Sequence, residues 1–192
     1  MIVDSRENPG LLLTWALYEL ARHPAVADRA EEEADEVLAG GEVTLGALGR
    51  LTLAHDVVRE TLRLYPPAYS TGRQAVRDCT IAGIRVRRGT VILVSQWVTH
   101  RAATWFERPD EFLPDRWATA GAEGLPPGAY QPFSMGPRRC PGEHLARTVG
   151  VLGLAVMLRS HLDLVEADPT EPTVRLSLRP SREVLLRVRP RT

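Results

Sequence analysis

The amino-acid sequence predicts a single, mainly α-helical domain with minor antiparallel β structure over residues 1–192. Long apolar runs of helical character lie in the first third of the chain and again near its C-terminal end. Between them lie short runs rich in isoleucine and valine, which are typical of strands. With 44% hydrophobic residues, the chain has enough apolar side chains to build one core.

The predicted helices have boundaries with identifiable causes. Residues 11–21 are apolar nearly all round and stop shortly before Pro24. A proline suits the first turn of a helix, so a second helix is predicted over 24–38. A third, over 51–64, ends before a Pro-Pro pair, and a fourth is predicted over 143–161.

Short strands are predicted where β-branched residues alternate with glycine-containing turns. Residues 81–86 and 91–94 fit a small antiparallel sheet. The stretch 118–132 is rich in glycine, proline and alanine and predicts an irregular loop. A final hairpin is predicted between 174–178 and 184–188, because an Arg-Pro-Ser-Arg turn separates them.

The charges exclude one class of function and suggest another. The 24 basic and 24 acidic side chains balance, which argues against a nucleic-acid binder dominated by phosphate contacts. Residues 1–66 nevertheless carry 12 acids and 6 arginines, whereas residues 67–192 carry 12 acids and 18 arginines. A solvated surface explains this asymmetry; alternatively, some later arginines face an anionic cofactor or an acidic partner.

The two cysteines, Cys79 and Cys140, fit neither a disulfide framework nor a zinc cluster. The first residues lack the pattern of a signal peptide, and no apolar stretch is long enough to span a bilayer. We therefore expect a cytoplasmic protein without a membrane span.

The sharpest motif is F-x-x-G-x-R-x-C-x-G, formed by Phe133, Gly136, Arg138, Cys140 and Gly142. Its chance occurrence in a chain of this composition is on the order of 10⁻⁵. A cysteine just before a helix is favoured as a thiolate, and the glycines let a flat ligand approach the backbone. A lone soft thiolate suits haem iron better than zinc. The alternative is a buried, inert cysteine.

This motif resembles the haem-binding signature of bacterial cytochromes P450. The resemblance implies the C-terminal haem-binding part of that fold, with haem b (iron protoporphyrin IX) as cofactor and Cys140 as the axial thiolate ligand. Phe133, Gly136 and Gly142 would then line the haem, and Arg138 would pair with a propionate. Elsewhere the resemblance implies propionate contacts at Arg73 and His100, in the segments S-T-G-R and T-H-R.

A second element of the family is matched by Glu60 and Arg63 in the pattern E-x-x-R. Positions i and i+3 share one face of a helix, so the two side chains can pair. The resemblance supplies a third member, Arg116 in Pro-Asp-Arg-Trp. We expect these three residues to form a buried network that supports the cysteine segment and takes no part in chemistry.

The first residues match the family's helix across the distal face of the haem. The resemblance places Glu7 at a catalytic acid that helps to deliver protons, with Asn8 where the family has threonine. Asparagine lacks the hydroxyl of that threonine. Pro9 removes a backbone donor, so we expect the helix to break or begin there.

The resemblance implies a haem-thiolate oxidoreductase of the monooxygenase type that oxygenates a small organic substrate. A ferredoxin or flavoprotein reductase would supply electrons. Because the match covers only the C-terminal half of the family fold, we expect a larger assembly that includes a missing N-terminal half or a second subunit. The alternatives are a non-enzymatic haem-binding or interaction protein, and peroxide-driven oxidation with Glu7 as the distal acid–base.

Overall fold

The computed structural model describes residues 2–39, 41, 43–119, 124–165 and 170–190. The helices are α1 (Ile2–Arg22), α2 (Pro24–Leu38), α3 (Thr52–Leu64), α4 (Gln96–Thr99), α5 (Arg116–Thr119) and α6 (Glu143–Met157). The strands are β1 (Ser70–Gln74), β2 (Cys79–Ile81), β3 (Ile84–Val86), β4 (Val91–Ser95), β5 (Ser160–Leu164), β6 (Pro172–Val174), β7 (Leu178–Pro180) and β8 (Leu186–Pro190). The mainly helical architecture with small antiparallel sheets is confirmed.

The core lies where α1, α2, α3 and α6 pack against one another. Gly150 of α6 sits at the closest approach, since a Cβ placed there would lie 2.8 Å from Leu12 Cδ2 and 3.4 Å from Val58 Cγ2. Glycine is therefore required for α6 to reach the other two helices. Other fully buried side chains of this core are Ala16, Leu51, Val57, Val151, Leu154 and Ala155.

The strands pair antiparallel in two-stranded sheets throughout the described residues: β1 with β4, β2 with β3, β5 with β8 and β6 with β7. The indole N–H of Trp15 in α1 donates to the Leu178 carbonyl in β7 at 3.5 Å, and the Tyr18 hydroxyl accepts from the Thr170 N–H at 3.0 Å. These bonds attach the hairpin of β6 and β7, and the segment that leads into it, to α1.

Four expectations from the sequence are wrong. The runs 81–86 and 91–94 do not share a sheet, because β3 pairs with β2 and β4 pairs with β1. Helix α1 continues through Pro9 instead of breaking there, because a missing N–H costs one helical hydrogen bond and the flanking turns still form. Helix α6 ends at Met157, and part of its predicted extension forms β5 instead. The predicted hairpin of 174–178 with 184–188 does not form, because β8 pairs with β5 and β7 pairs with β6.

No helix among the described residues is both long enough and apolar enough to cross a membrane.

Candidate functional site

Cys140 lies in a loop that runs from residue 131 to residue 142, which we call the cysteine loop. Its thiol is exposed, and its backbone N–H donates to the Phe133 carbonyl at 2.9 Å. A single 3-10 turn, Gly136–Arg138, lies between these two residues. The loop ends where α6 begins at Glu143. The backbone bond closes the loop on itself, and Cys140 remains exposed.

The surroundings of Cys140 fit a flat apolar ligand. Gly136 has φ +73°, a left-handed conformation that favours glycine, and no other group lies within 4 Å of where its Cβ would be. A Cβ on Gly142 would lie 3.8 Å from the Cys140 sulfur. The large apolar side chains Met135 and Leu145 flank the cysteine in sequence and are exposed.

The arginines near this loop differ in what they contact. Arg139 pairs with Glu143 at 2.5 Å, and Arg147 pairs with the same carboxylate at 3.1 Å. The guanidinium of Arg147 also lies 5.1 Å from the centre of the Phe133 ring, which fixes that ring on α6. By contrast, Arg138 is exposed and, within the described residues, has no carboxylate partner.

Arg73 projects from β1 and is exposed. Its Nη1 donates to the carbonyl of its neighbour Gly72 at 2.8 Å, and no carboxylate of the described residues pairs with it. Arg73 and Arg138 therefore keep guanidinium groups that an anion can bind.

Behind the loop lies the Glu60 network, formed by Glu60, Arg63, Leu113, Arg116 and Trp117. Glu60 is 0% exposed, and its carboxylate accepts two bonds from Arg63 at 2.8 and 2.9 Å. It also accepts from Arg116 Nε at 3.0 Å, from the Leu113 N–H at 3.0 Å and from Trp117 Nε1 at 2.9 Å. A buried carboxylate is tolerated only with such complete pairing.

Arg63 is equally well satisfied. Its guanidinium donates to the His100 carbonyl at 2.9 Å, to the Pro109 carbonyl, and to the Glu111 carbonyl at 2.9 Å. The expected pairing of Glu60, Arg63 and Arg116 is thus present in the structure. It fastens α3 to the segment that carries α5.

His100 makes contacts other than the expected one to a propionate. It is 0% exposed, and its Nε2 accepts the Gln131 N–H at 2.9 Å. Nε2 must then be unprotonated, so Nδ1 carries the proton and donates to the Arg63 carbonyl at 3.2 Å. Burial lowers the pKa of His100 to about 4. Both ring nitrogens are used by backbone groups, which leaves none for a carboxylate ligand.

Glu7 lies on α1 and contacts the β6–β7 hairpin. Its carboxylate accepts a hydrogen bond from the Ser177 hydroxyl and pairs with Arg179 at 2.5 Å. The Ser177 hydroxyl and the Arg179 guanidinium hold the pKa of Glu7 below its ordinary value. In this arrangement the carboxylate is ionised at neutral pH.

A model of the cytochrome P450 family matches residues 11–187. The chain belongs to the cytochrome P450 family. It is 34% identical to pentalenene oxygenase of Streptomyces avermitilis over 94% of its own length and 40% of that protein. It is 36% identical to cyclooctatin synthase of Streptomyces melanosporofaciens over 82% of the chain and 34% of that protein.

A solved P450 confirms the fold at the level of coordinates. The chain superimposes on the crystal structure of the cytochrome P450DA heme domain with a TM-score of 0.91 and 31% identity, covering 97% of this chain and 42% of that one. A putative cytochrome P450 of Caenorhabditis elegans is 34% identical over 91% of the chain and 36% of that protein. The chain thus spans about a third to two fifths of the length of the relatives described.

Two contributors to this P450 site were not assigned a role from the sequence. Trp117 donates to Glu60, and its place directly after Arg116 in the recognised segment was the available signal. Arg147 holds Phe133 and pairs with Glu143, and the i, i+4 spacing of these two charges on a predicted helix could have indicated the pair.

Proposed function

We propose that this chain is the haem-binding part of a haem-thiolate oxidoreductase of the monooxygenase type, with Cys140 as the axial ligand of haem b. The observation that carries the proposal is the exposed thiol of Cys140 in a loop held by its own backbone bond and by buried side chains behind it. Membership of the P450 family supports the same assignment.

The residues around Cys140 fit a haem. Gly136 and Gly142 leave room beside the backbone, and Phe133 offers an aromatic ring fixed by α6. Arg138 and Arg73 are the candidate partners of the two propionates, since both guanidinium groups lack a carboxylate partner among the described residues. When bound, a haem with a cysteine thiolate ligand supplies the activation of oxygen for insertion into a C–H bond.

The substrate and electron source follow from the family and from two relatives. Pentalenene oxygenase and cyclooctatin synthase are named for oxidation or synthesis of small organic molecules, which supports a small organic substrate here. A ferredoxin or flavoprotein reductase in the cytoplasm would supply electrons. Because the chain spans at most two fifths of these relatives, the complete activity is proposed for an assembly that also contains the rest of the fold.

Proton delivery is the role proposed for Glu7 in the catalytic centre. The structure sets a condition on that role, because the carboxylate is ionised and paired with Arg179. Glu7 would deliver a proton only after this ion pair opens. Peroxide-driven oxidation with Glu7 as acid–base would require the same opening.

The test is titration of the purified chain with haem, followed by reduction and exposure to carbon monoxide. We expect the absorption band characteristic of thiolate ligation, its loss in Cys140→Ala and its retention in the matched control Cys79→Ala. Absence of haem uptake, or an unchanged band in Cys140→Ala, would overturn the proposal. Turnover with a generic ferredoxin and reductase, compared with peroxide alone, then distinguishes a monooxygenase from a haem-binding protein and from a peroxide-driven enzyme.

A further inference from the structure

His100 connects two parts of the molecule that lie far apart in the sequence. On one side it faces the last turn of α3, where Arg63 lies. On the other it faces residue 131, the first residue of the cysteine loop. The two contacts are made by different nitrogens of the same buried ring. The ring therefore lies between the end of α3 and the start of the loop and is hydrogen-bonded to both.

The contact with Arg63 is reciprocal. The Arg63 guanidinium donates to the His100 carbonyl at 2.9 Å, and the His100 ring donates back to the Arg63 carbonyl at 3.2 Å. Because the His100 ring is fully buried and each of its nitrogens is hydrogen-bonded to a backbone group, the ring has little freedom to rotate. A fixed ring is what a single well-aligned bond to a loop N–H requires.

The next residue along the chain supports the same connection. The Tyr130 ring lies 5.3 Å from the His100 ring and 4.7 Å from the Trp117 ring, measured between ring centres. Its hydroxyl donates to the Arg59 carbonyl at 3.1 Å. Tyr130 thus attaches the start of the loop to α3 directly. His100 attaches it to Arg63, which belongs to the Glu60 network.

We propose that His100 is a positioning residue that sets the start of the cysteine loop, and hence the place of the Cys140 sulfur, through its Nε2 bond to the Gln131 N–H. The link to haem ligation rests on the proposed function. The link to loop position does not, because it is a property of the haem-free chain.

Two substitutions of His100 test the hydrogen bonds of its two ring nitrogens separately. In His100→Asn, the amide nitrogen takes the place of Nδ1 and keeps the bond to the Arg63 carbonyl, but no atom reaches Gln131. In His100→Gln, the amide oxygen takes the place of Nε2 and keeps the bond to the Gln131 N–H. His161→Asn makes the first change at a half-buried histidine of β5 and serves as the matched control.

The first readout is hydrogen–deuterium exchange of the haem-free chain. Loss of one net hydrogen bond corresponds to about threefold to tenfold faster exchange. We expect this increase over residues 131–142 in His100→Asn, with α3 unchanged, and exchange near the wild-type rate in His100→Gln and His161→Asn. Equal exchange in the Asn and Gln variants, no increase in the loop, or an equal increase in α3 would each overturn the proposal.

The second readout is the carbon monoxide band of the reduced, haem-loaded protein. His100→Asn is expected to lower the thiolate-ligated fraction about threefold or more, and His100→Gln to restore it. A full thiolate band in His100→Asn overturns the link between loop position and ligation. Failure of the wild-type chain to bind haem would contradict only the proposed function, since the exchange result stands by itself.

Discussion

The buried carboxylate of Glu60 offers the most demanding test of how this part of a P450 is held together. Glu60→Gln keeps the shape of the side chain but removes its charge and turns one acceptor into a donor. Arg63 Nη2 and Nε, Arg116 Nε, the Leu113 N–H and Trp117 Nε1 all point at the two oxygens, so at least one donor then meets another donor. Arg63 also loses its buried counter-charge.

Removing one partner of a buried ion pair costs about 3–5 kcal/mol, because the other charge is left uncompensated. The matched control is Asp115→Asn, which makes the same chemical change in the pair of Asp115 with Arg29. That pair is bidentate, but its side chains are 63% and 52% exposed. An exposed pair contributes at most about 1 kcal/mol, so the two variants should differ by at least about 2 kcal/mol.

The assay is urea denaturation of each variant, followed by tryptophan fluorescence and by far-ultraviolet circular dichroism. Domains of ordinary size have a free energy of unfolding of about 5–15 kcal/mol, so the expected loss for Glu60→Gln is a large fraction of the total. A Glu60→Gln variant that unfolds within 1 kcal/mol of Asp115→Asn would refute the assignment of the network as a buried support.

Three further outcomes are expected. Between pH 7 and pH 5 the wild type should lose about 2 kcal/mol more stability than His100→Gln. The pKa of His100 is about 4 in the folded chain and 6.5 in the unfolded chain, so the unfolded chain takes up the proton first. The stability present above pH 6.5 is therefore lost as the pH falls towards 4. Parallel pH profiles of the two proteins in urea denaturation would contradict this. Gly150→Ala should lower the free energy of unfolding by about 1–3 kcal/mol, since the new methyl would lie 2.8 Å from Leu12. Gly153→Ala, whose methyl would lie 3.1 Å from the half-buried Leu13, should cost less than about 1 kcal/mol or stabilise. The reverse order of thermal midpoints would contradict the packing argument. Glu33→Gln should cost about 1 kcal/mol in urea denaturation, because the Glu33 carboxylate accepts hydrogen bonds from two N–H groups of the first turn of α3 at 2.7 and 3.0 Å. No change in the free energy of unfolding would show that this cap contributes nothing.

The parts of the fold that the sequence predicts correctly are those set by local chemistry. Helix α3 has an amphipathic pattern and a Pro-Pro stop, and the i, i+3 spacing of Glu60 and Arg63 suffices to expect their pairing. Strand structure within 81–86 and 91–94 is likewise found, because β-branched residues and glycine turns mark it, but the predicted pairing of these two runs is not.

The parts that the sequence does not predict depend on partners far along the chain. Strand β5 continues the apolar run of α6, and only its pairing with β8 makes it a strand. Strand β1 is polar and contains a glycine, so no local pattern marks it. The role of His100 depends on two backbone groups, 37 residues before it and 31 residues after it. Periodicity carries no information about such contacts.

The Glu60 network also fixes an order of events during synthesis. Glu60 accepts bonds from residues 53, 56 and 57 positions further along the chain. Until those residues have left the ribosome, burying this face of α3 would leave a carboxylate only partly compensated, which is too costly for a partial chain. We therefore expect this face to stay hydrated after α1, α2 and α3 have emerged, and α3 to complete its docking only after Trp117 has followed. The packing of α3 against α6 comes later still, because α6 follows the cysteine loop along the chain.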